Sequence, residues 1–291
     1  MSKKPAQGVV ALLRLPYWMM TGGLALLTSL AISKGVLNPL TALLTFFSMA
    51  FITSAGFSIN DYFDKESDAI IKPKRPIPSG ALSLSQVIVI SLVLFVVGLS
   101  LSLLINPLSF TILLVDSLVL VAYSALVKRK SGFVANILVG ILTGTAFMYG
   151  EATIAGTISL VSLSLYPIAC GTIGGNILRD ILSLEGDKKI GYPTLPKEVG
   201  IKNAARIGSV FFIATGFLAP LPFILGKFTA YYLPLILMWS VILVYSSIRL
   251  LTLTSTVENI RKYERLITMS MILLPLALIL ETLSKTIGGL I

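Results

Sequence analysis

Two short stretches of the sequence concentrate the side chains that could bind a metal ion. The chain has 13 Asp and Glu residues, and seven of them lie within residues 60–68 and 176–187. On a helix, about 100° of rotation per residue gives the first stretch one face that carries Asn60, Asp61, Asp64 and Asp68. Clustered carboxylates repel one another unless a cation neutralises them, and Asp and Asn oxygens suit Mg²⁺. The pattern therefore predicts a magnesium site, with a solvated helix end as the alternative.

The second stretch has the same character. On a helix, one of its faces carries Asn176, Arg179, Asp180, Ser183 and Asp187. Asp180 and Asp187 are the predicted metal ligands of this face. Two acid-bearing helix ends indicate an internal duplication whose halves face each other across a cavity, so that each half supplies one ligand set to a metal–diphosphate.

A basic loop rich in Pro and Gly follows each acidic stretch, at residues 72–80 and 188–197. Prolines restrict the backbone and fix where the charges of these loops point. Arg75 and Lys189 are predicted to bind phosphate oxygens, Arg75 bidentately. The alternative is that these cations only mark the cytoplasmic side of a membrane.

The elements that must position these residues are transmembrane helices. Hydrophobic residues make up 55% of the chain, charged residues 12%, and the mean hydropathy is +0.92. Nine apolar runs of about 20 residues, the length that spans a bilayer core, follow one another. The sequence therefore predicts one all-α domain over residues 1–291, a bundle of nine helices with cap loops at about 61–83 and 182–203.

The positive charges predict how this bundle sits in the membrane. Lys and Arg concentrate in the N-terminal segment and after the second, fourth, sixth and eighth predicted helices. Because positive loops stay cytoplasmic, the N-terminus and both acidic helix ends are predicted on the cytoplasmic side and the C-terminus outside. The net charge of +10 then reflects topology and anionic headgroups, not nucleic-acid binding. The chain has no histidine, which excludes imidazole ligands and His-based nucleophile activation.

At these residues the sequence resembles the UbiA superfamily of intramembrane prenyltransferases. The matching motif reads Asn60-Asp61-x-x-Asp64-x-x-x-Asp68 and is followed by the family-like segment 75–80. Supporting matches lie at 123–128, 132–136 and 185–196, and the helix number and length agree over the whole chain. The resemblance implies a helix bundle around a central cavity that opens to lipid.

Within that superfamily, the motifs are most similar to those of archaeal digeranylgeranylglyceryl phosphate synthases. This implies Mg²⁺-dependent transfer of a geranylgeranyl group from its diphosphate to the sn-2 hydroxyl of geranylgeranylglyceryl phosphate. Quinone-precursor prenyltransferases share the framework and are the alternative. One position departs from the pattern, because Ser183 stands where the second motif has its first Asp. Either Asp180 compensates or the second metal site is weakened.

The resemblance and the charges together assign candidate roles. The predicted metal ligands are Asn60, Asp61, Asp64, Asp68, Asp180 and Asp187. The predicted catalytic residues are Asp64, Asp68, Asp187, Tyr123 and Lys128. The predicted diphosphate and substrate contacts are Arg75, Lys128, Arg179, Lys189, Asn136, Asn176 and Ser183.

Two readings from other classes remain. A transporter would also carry intramembrane acids, but it would place them near the bilayer midplane, whereas these lie at helix ends. A lipid-binding homologue without activity is the second, raised by Ser183. Asp116, in the middle of the fourth predicted helix, is a functional candidate by default or a hydrogen-bonded packing residue, and Glu281 is predicted to reach the membrane interface.

Overall fold

The described part of the chain is helical throughout. In the computed structural model, which describes residues 5–252 and 256–288, no strand occurs and nine helical stretches are long and apolar enough to cross a membrane. We number these spans 1 to 9 in chain order: Pro5–Ile32, Pro39–Phe63, Leu84–Leu103, Pro107–Lys130, Gly132–Ala155, Leu160–Lys189, Leu195–Ile224, Ala230–Thr252 and Val257–Thr286. The predicted all-α bundle of nine spans is confirmed.

Several spans contain a local break. Span 1 divides at Arg14, a left-handed residue with φ 51° and ψ 53°, into Pro5–Leu13 and Leu15–Ile32. Span 4 ends in a π-helical turn, Tyr123–Val127, before Lys128–Lys130. Span 6 passes through a 3₁₀ turn at Tyr166–Ala169 and continues as the α-helix Cys170–Ile190. The remaining helices are Lys65–Ile71, which follows span 2, and the parts of spans 7 to 9, namely Leu195–Leu218, Leu221–Ile224, the 3₁₀ turn Ala230–Tyr232, Leu233–Thr252, Val257–Ser270 and Leu273–Gly288.

Local sequence fixes where these helices begin. Ser83 and Gln86 form a reciprocal capping box at the start of span 3, which satisfies backbone N–H groups that have no partner within the helix. Asn38 accepts a hydrogen bond from the Leu40 amide, and Pro39 occupies the first turn of span 2, where its missing N–H costs nothing. The capping residues at these helix starts therefore determine where the preceding connections end.

Close approach between spans depends on small residues. A Cβ added at Gly150 would lie 2.4 Å from the Ala25 carbonyl oxygen, so span 5 touches span 1 there. A Cβ at Gly174 would lie 2.7 Å from the Gly208 carbonyl oxygen, where span 6 packs on span 7. Such contacts suit membrane helices, whose association depends on close packing. Large side chains such as Val96 and Phe217 remain exposed on the outside, where lipid would cover them.

The structure corrects two predictions. The segments 61–83 and 182–203 are not loops throughout, because Lys65–Ile71 is helical, span 6 stays helical to Ile190 and a new helix starts at Leu195. Gly186 lies inside span 6, and a Cβ added there would be in ordinary van der Waals contact with Ile71. The prediction for Glu281 is also wrong: this carboxylate is fully buried, accepts hydrogen bonds from Thr229 and pairs with Lys285 at 2.8 Å.

Candidate functional site

The two acidic helix ends meet around one cavity of about 310 Å³, which we call the polar cavity. Span 2 and the helix after it reach it from one side, and span 6 reaches it from the other. Its charged and amide-bearing lining residues are Asp64, Asp68, Lys72, Lys128, Asn136, Arg179, Asp180 and Asp187. The predicted juxtaposition of the two acidic stretches is thus present in the fold.

Asp64 is the most heavily bonded carboxylate of the polar cavity. Lys128 and Asn60 donate to its Oδ2, the latter at 2.8 Å, and the Tyr192 hydroxyl donates to its Oδ1 at 2.7 Å. Burial alone would raise the pKa of Asp64, but the Lys128 charge and these hydrogen bonds outweigh it and hold the pKa below its usual value. Asp64 is therefore an ionised carboxylate inside the protein, ready to bind a cation.

A buried acceptor atom fits these residues to Mg²⁺. The Asn60 Oδ1 atom is buried and accepts no hydrogen bond from the described residues, so a hard acceptor is left without a partner. In residues 5–252 and 256–288, no three acidic side chains form a metal site by themselves, so an ion bound here would need further ligands. Mg²⁺ usually binds one or two carboxylates and completes its shell with substrate phosphates and water. A ligand set divided between two helix ends matches this mode of Mg²⁺ coordination.

Asp68 and Asp61 are tied to arginines. Arg75 donates to Asp68 at 2.5 Å and to Asp61 at 2.9 Å, and Arg14 donates to Asp61 at 2.5 Å. Asp68 lines the polar cavity, whereas Asp61 lies outside it with 3% of its side chain exposed. The Asp61 Oδ1 atom accepts from both guanidinium groups and Asp61 does not line the polar cavity, so its role as a metal ligand stays a prediction. Arg75 holds Asp61 and Asp68 and does not line the polar cavity, and its role as a phosphate ligand stays a prediction.

The second acidic stretch presents the predicted pair. Asp180 accepts a hydrogen bond from the Asn136 amide at 2.8 Å, and Asp187 accepts one from the Ser183 hydroxyl at 2.6 Å. These four side chains line the polar cavity. The structure therefore brings Asp180 and Asp187 opposite Asp64, and it gives Ser183 a place beside Asp187 as a hydrogen-bond donor.

The cations around the cavity differ from the prediction in part. Lys128 and Arg179 line it as predicted, and Arg179 is tethered to Glu264 of span 9 at 3.5 Å. Lys189 is exposed on the outside of span 6, away from the cavity, because it follows Asp187 by two residues on a helix that continues. Lys72 is the residue that the sequence prediction missed. Burial and the nearby Arg75 charge lower the pKa of Lys72.

A second cavity of about 370 Å³, the deep cavity, extends from the polar cavity toward the membrane interior. The two cavities share Lys72 and Tyr123. The wall of the deep cavity is mainly apolar, and its polar groups include Arg14, Asn60 and Asn176. Asp116 also lines it and accepts a hydrogen bond from Thr145 at 2.7 Å, which is the partner that the sequence could not name.

Tyr192 is a further site residue that the sequence prediction missed. It lies in the connection between spans 6 and 7, where Gly191 takes a left-handed conformation with φ 77°. Its ring lies 5.3 Å from the Lys128 ammonium. Burial raises the pKa of Tyr192 to about 12, so its hydroxyl keeps the proton that it donates to Asp64.

Comparisons with known proteins agree with this geometry. Residues 21–273 match the profile of the UbiA prenyltransferase family. The digeranylgeranylglyceryl phosphate synthase of Natronomonas pharaonis is 35% identical over 227 residues, which cover 78% of this chain and 81% of that protein.

Solved structures share the fold. One, described as giving structural and mechanistic insights into digeranylgeranylglyceryl phosphate synthase in membranes, superposes with a TM-score of 0.82 at 30% identity, covering 96% of this chain and 99% of the other. A UbiA homologue from Archaeoglobus fulgidus, bound to DMAPP and Mg²⁺, has a TM-score of 0.68 at 20% identity over 91% of this chain and 98% of that one.

Proposed function

Since this chain belongs to the UbiA prenyltransferase family, we propose that it transfers a geranylgeranyl group from its diphosphate to geranylgeranylglyceryl phosphate. The similarity to the synthase from N. pharaonis supports this choice of donor and acceptor. The observation that carries the proposal is the joining of the polar cavity, with its two facing carboxylate sets, to the deep cavity at Lys72 and Tyr123. A diphosphate head and an isoprenoid tail fit these two environments.

The residues that line the polar cavity support binding of the diphosphate there. Asn60, Asp64 and Asp68 from one half, with Asp180 and Asp187 from the other, would hold Mg²⁺. The A. fulgidus homologue, which shares the fold, is bound to DMAPP and Mg²⁺. Bound Mg²⁺ would neutralise the charge that grows on the diphosphate as the allylic carbon–oxygen bond breaks. Lys128 and Arg179 add positive charge at the same cavity.

Tyr123 and the apolar wall of the deep cavity would support the transfer of the prenyl carbon. Tyr123 lines both cavities, so its ring lies where the first carbon of the prenyl chain would pass from head to tail. An aromatic face stabilises a nearby cation, and the apolar wall of the deep cavity excludes water that would capture it. The acceptor hydroxyl oxygen forms the new bond to that carbon, the bond to diphosphate breaks, and the hydroxyl proton is released.

A second anionic group can be accommodated beside the diphosphate. Lys72 stands where the two cavities join, and Arg14 lines the deep cavity, apart from Lys128 and Arg179 in the polar cavity. These cations suit an acceptor that carries its own phosphate, as geranylgeranylglyceryl phosphate does. An aromatic quinone precursor with a carboxylate is the second candidate, since the same cations would bind it.

The test compares acceptors directly. Membranes that contain the chain are supplied with labelled geranylgeranyl diphosphate, Mg²⁺ and either the glyceryl phosphate lipid or an aromatic acid. We expect a Mg²⁺-dependent product with the lipid only, and its loss in Asp64→Asn. The matched control is Glu66→Gln, which changes an exposed acid near the same helix end and should retain activity. If product forms only with the aromatic acid, the aromatic acid replaces the lipid as the assigned acceptor. If no product forms with either acceptor, the proposal is rejected.

We infer that the polar cavity opens to the cytoplasm, since the segments on its side carry most Lys and Arg residues of the chain. Lys3 and Lys4 belong to that charge pattern but lie outside the described residues. In intact cells, a membrane-impermeant thiol reagent should label Lys227→Cys and spare Lys130→Cys, both in a Cys170→Ser background. The opposite pattern would invert the orientation.

A further inference from the structure

Tyr192 connects the two halves of the site through side-chain contacts. Its hydroxyl donates to Asp64 of span 2's end at 2.7 Å and lies 3.4 Å from the Ser67 hydroxyl. Its ring face is 5.3 Å from the Lys128 ammonium of span 4. Tyr192 itself belongs to the connection that follows span 6, so one residue joins the metal-binding end of one half to the loop of the other.

The connection that carries Tyr192 is held firmly. The Tyr192 amide donates to the Asp187 carbonyl at 3.2 Å, and the Gly132 amide donates to the Pro193 carbonyl at 2.7 Å. A Cβ at Gly132 would lie 2.7 Å from that Pro193 oxygen, so the loop rests directly on the start of span 5. The side chain of Tyr192 is therefore placed by a fixed backbone.

Asp64 has few free lone pairs, and Tyr192 decides which remain. A carboxylate offers about four acceptor sites. Lys128 and Asn60 share Oδ2, and Tyr192 takes one site on Oδ1. The free site on Oδ1 is thus left in a fixed orientation, since the Tyr192 hydrogen bond prevents the carboxylate from turning.

We propose that Tyr192 is a positioning residue that orients Asp64 for Mg²⁺ and Lys128 for the diphosphate. The inference rests on the proposed function, because it assigns the ion to Asp64. Hydrogen-bond partners of ligating carboxylates typically change metal affinity by about 10- to 100-fold when they are removed. The hydroxyl and the ring of Tyr192 serve different partners, so their effects should separate.

The test measures Mg²⁺ binding without turnover. The purified full-length chain receives a saturating concentration of geranylgeranyl thiolodiphosphate, which resists cleavage, and MgCl₂ is titrated while Tm is recorded. Because a ligand that binds only the folded state raises Tm, the titration midpoint reports Mg²⁺ affinity. In Tyr192→Phe, which keeps the ring, we expect the midpoint to rise about 10- to 100-fold, with unchanged affinity for the thiolodiphosphate at saturating Mg²⁺.

Two further variants separate positioning from folding. Tyr192→Leu should raise the midpoint similarly and also weaken thiolodiphosphate binding, since Lys128 loses the ring beside it. In an Asp64→Asn background, Tyr192→Phe should add no further change to the midpoint, which a general folding defect would not reproduce. Tyr231→Phe, at an exposed tyrosine in the 3₁₀ turn that begins span 8, is the control for loss of a phenol hydroxyl.

The outcomes distinguish this inference from the proposed function. A Tyr192→Phe midpoint equal to those of the wild type and Tyr231→Phe would overturn the positioning role, whatever the enzyme's acceptor. If Tyr192→Phe raises the midpoint but the wild-type chain yields no prenylated lipid, the positioning role stands and the proposed acceptor is rejected.

Discussion

Ser183→Asp should strengthen Mg²⁺ binding by adding a carboxylate to the second ligand set. Ser183 donates to Asp187 at 2.6 Å and lines the polar cavity, so a carboxylate at this position would stand close to Asp187 on the same helix face. Without an ion, the two negative charges repel each other. When Mg²⁺ lies between the two carboxylates, both are attracted to the ion, and this attraction outweighs their mutual repulsion.

The magnitude follows from the geometry and exposure. Two like charges about 4 Å apart repel by about 1 kcal/mol when water screens them, and the exposed position of Ser183 makes this the appropriate limit. Relief of about 1 kcal/mol corresponds to about fivefold tighter Mg²⁺ binding, since about 1.4 kcal/mol equals a factor of ten.

The assay records prenyl transfer rate and Tm against Mg²⁺ concentration for both chains. We expect the Mg²⁺ concentration for half-maximal rate to fall about fivefold in Ser183→Asp. In the metal-free protein, the same variant should have a lower Tm, and saturating Mg²⁺ should abolish the difference. Glu185→Gln, which changes an exposed acid two residues along, is the control and should leave both curves in place. An unchanged or higher Mg²⁺ requirement in Ser183→Asp would refute the assignment of this helix face to the metal.

Three other perturbations test separate parts of the structure. Arg75→Leu removes the shared partner of two buried carboxylates and should lower the free energy of unfolding by about 3 kcal/mol, measured by denaturation, whereas Arg75→Lys should recover part of it. The pKa of Asp64 is lowered in the folded chain, so the stability that its ionised form contributes is complete above the ordinary pKa of 3.8 and is lost as the pH falls through the pKa of the folded state. In Lys128→Met this loss should begin at higher pH, which a measurement of Tm against pH would detect. Gly132→Ala would place a methyl 2.7 Å from the Pro193 backbone oxygen, in the connection between spans 6 and 7, and should reduce the transfer rate by up to about 100-fold. Gly175→Ala, at a position with open space around it, should not reduce the rate.

Helical periodicity and hydropathy were sufficient to predict the bundle and the core of the site. The nine spans follow from apolar length, and the positions of Asp64, Asp180 and Asp187 around one cavity follow from their spacing on two helices. Both are properties of local sequence, because a helix converts spacing into direction.

The features that the sequence did not predict are contacts between distant segments. Asp61 lies within the predicted arc, but its partner Arg14 is 47 residues away, at the break in span 1. Lys189 was expected in a loop, but the helix continues and carries it outward. Tyr192 and Lys72 have no periodic signal, since each is placed by the fold of a connection.

The π-helical turn in span 4 sets the angular phase of its cytoplasmic end. Residues five apart on an α-helix point about 140° away from each other, whereas a turn closed from residue i to i+5 stacks them. The Lys128 amide bonds to the Tyr123 carbonyl in this way, and both side chains face the polar cavity. The wide turn inserts a single residue, which rotates the end of span 4 so that the Tyr123 ring and the Lys128 ammonium face the same cavity. Without this residue, the two groups could not serve the same bound molecule.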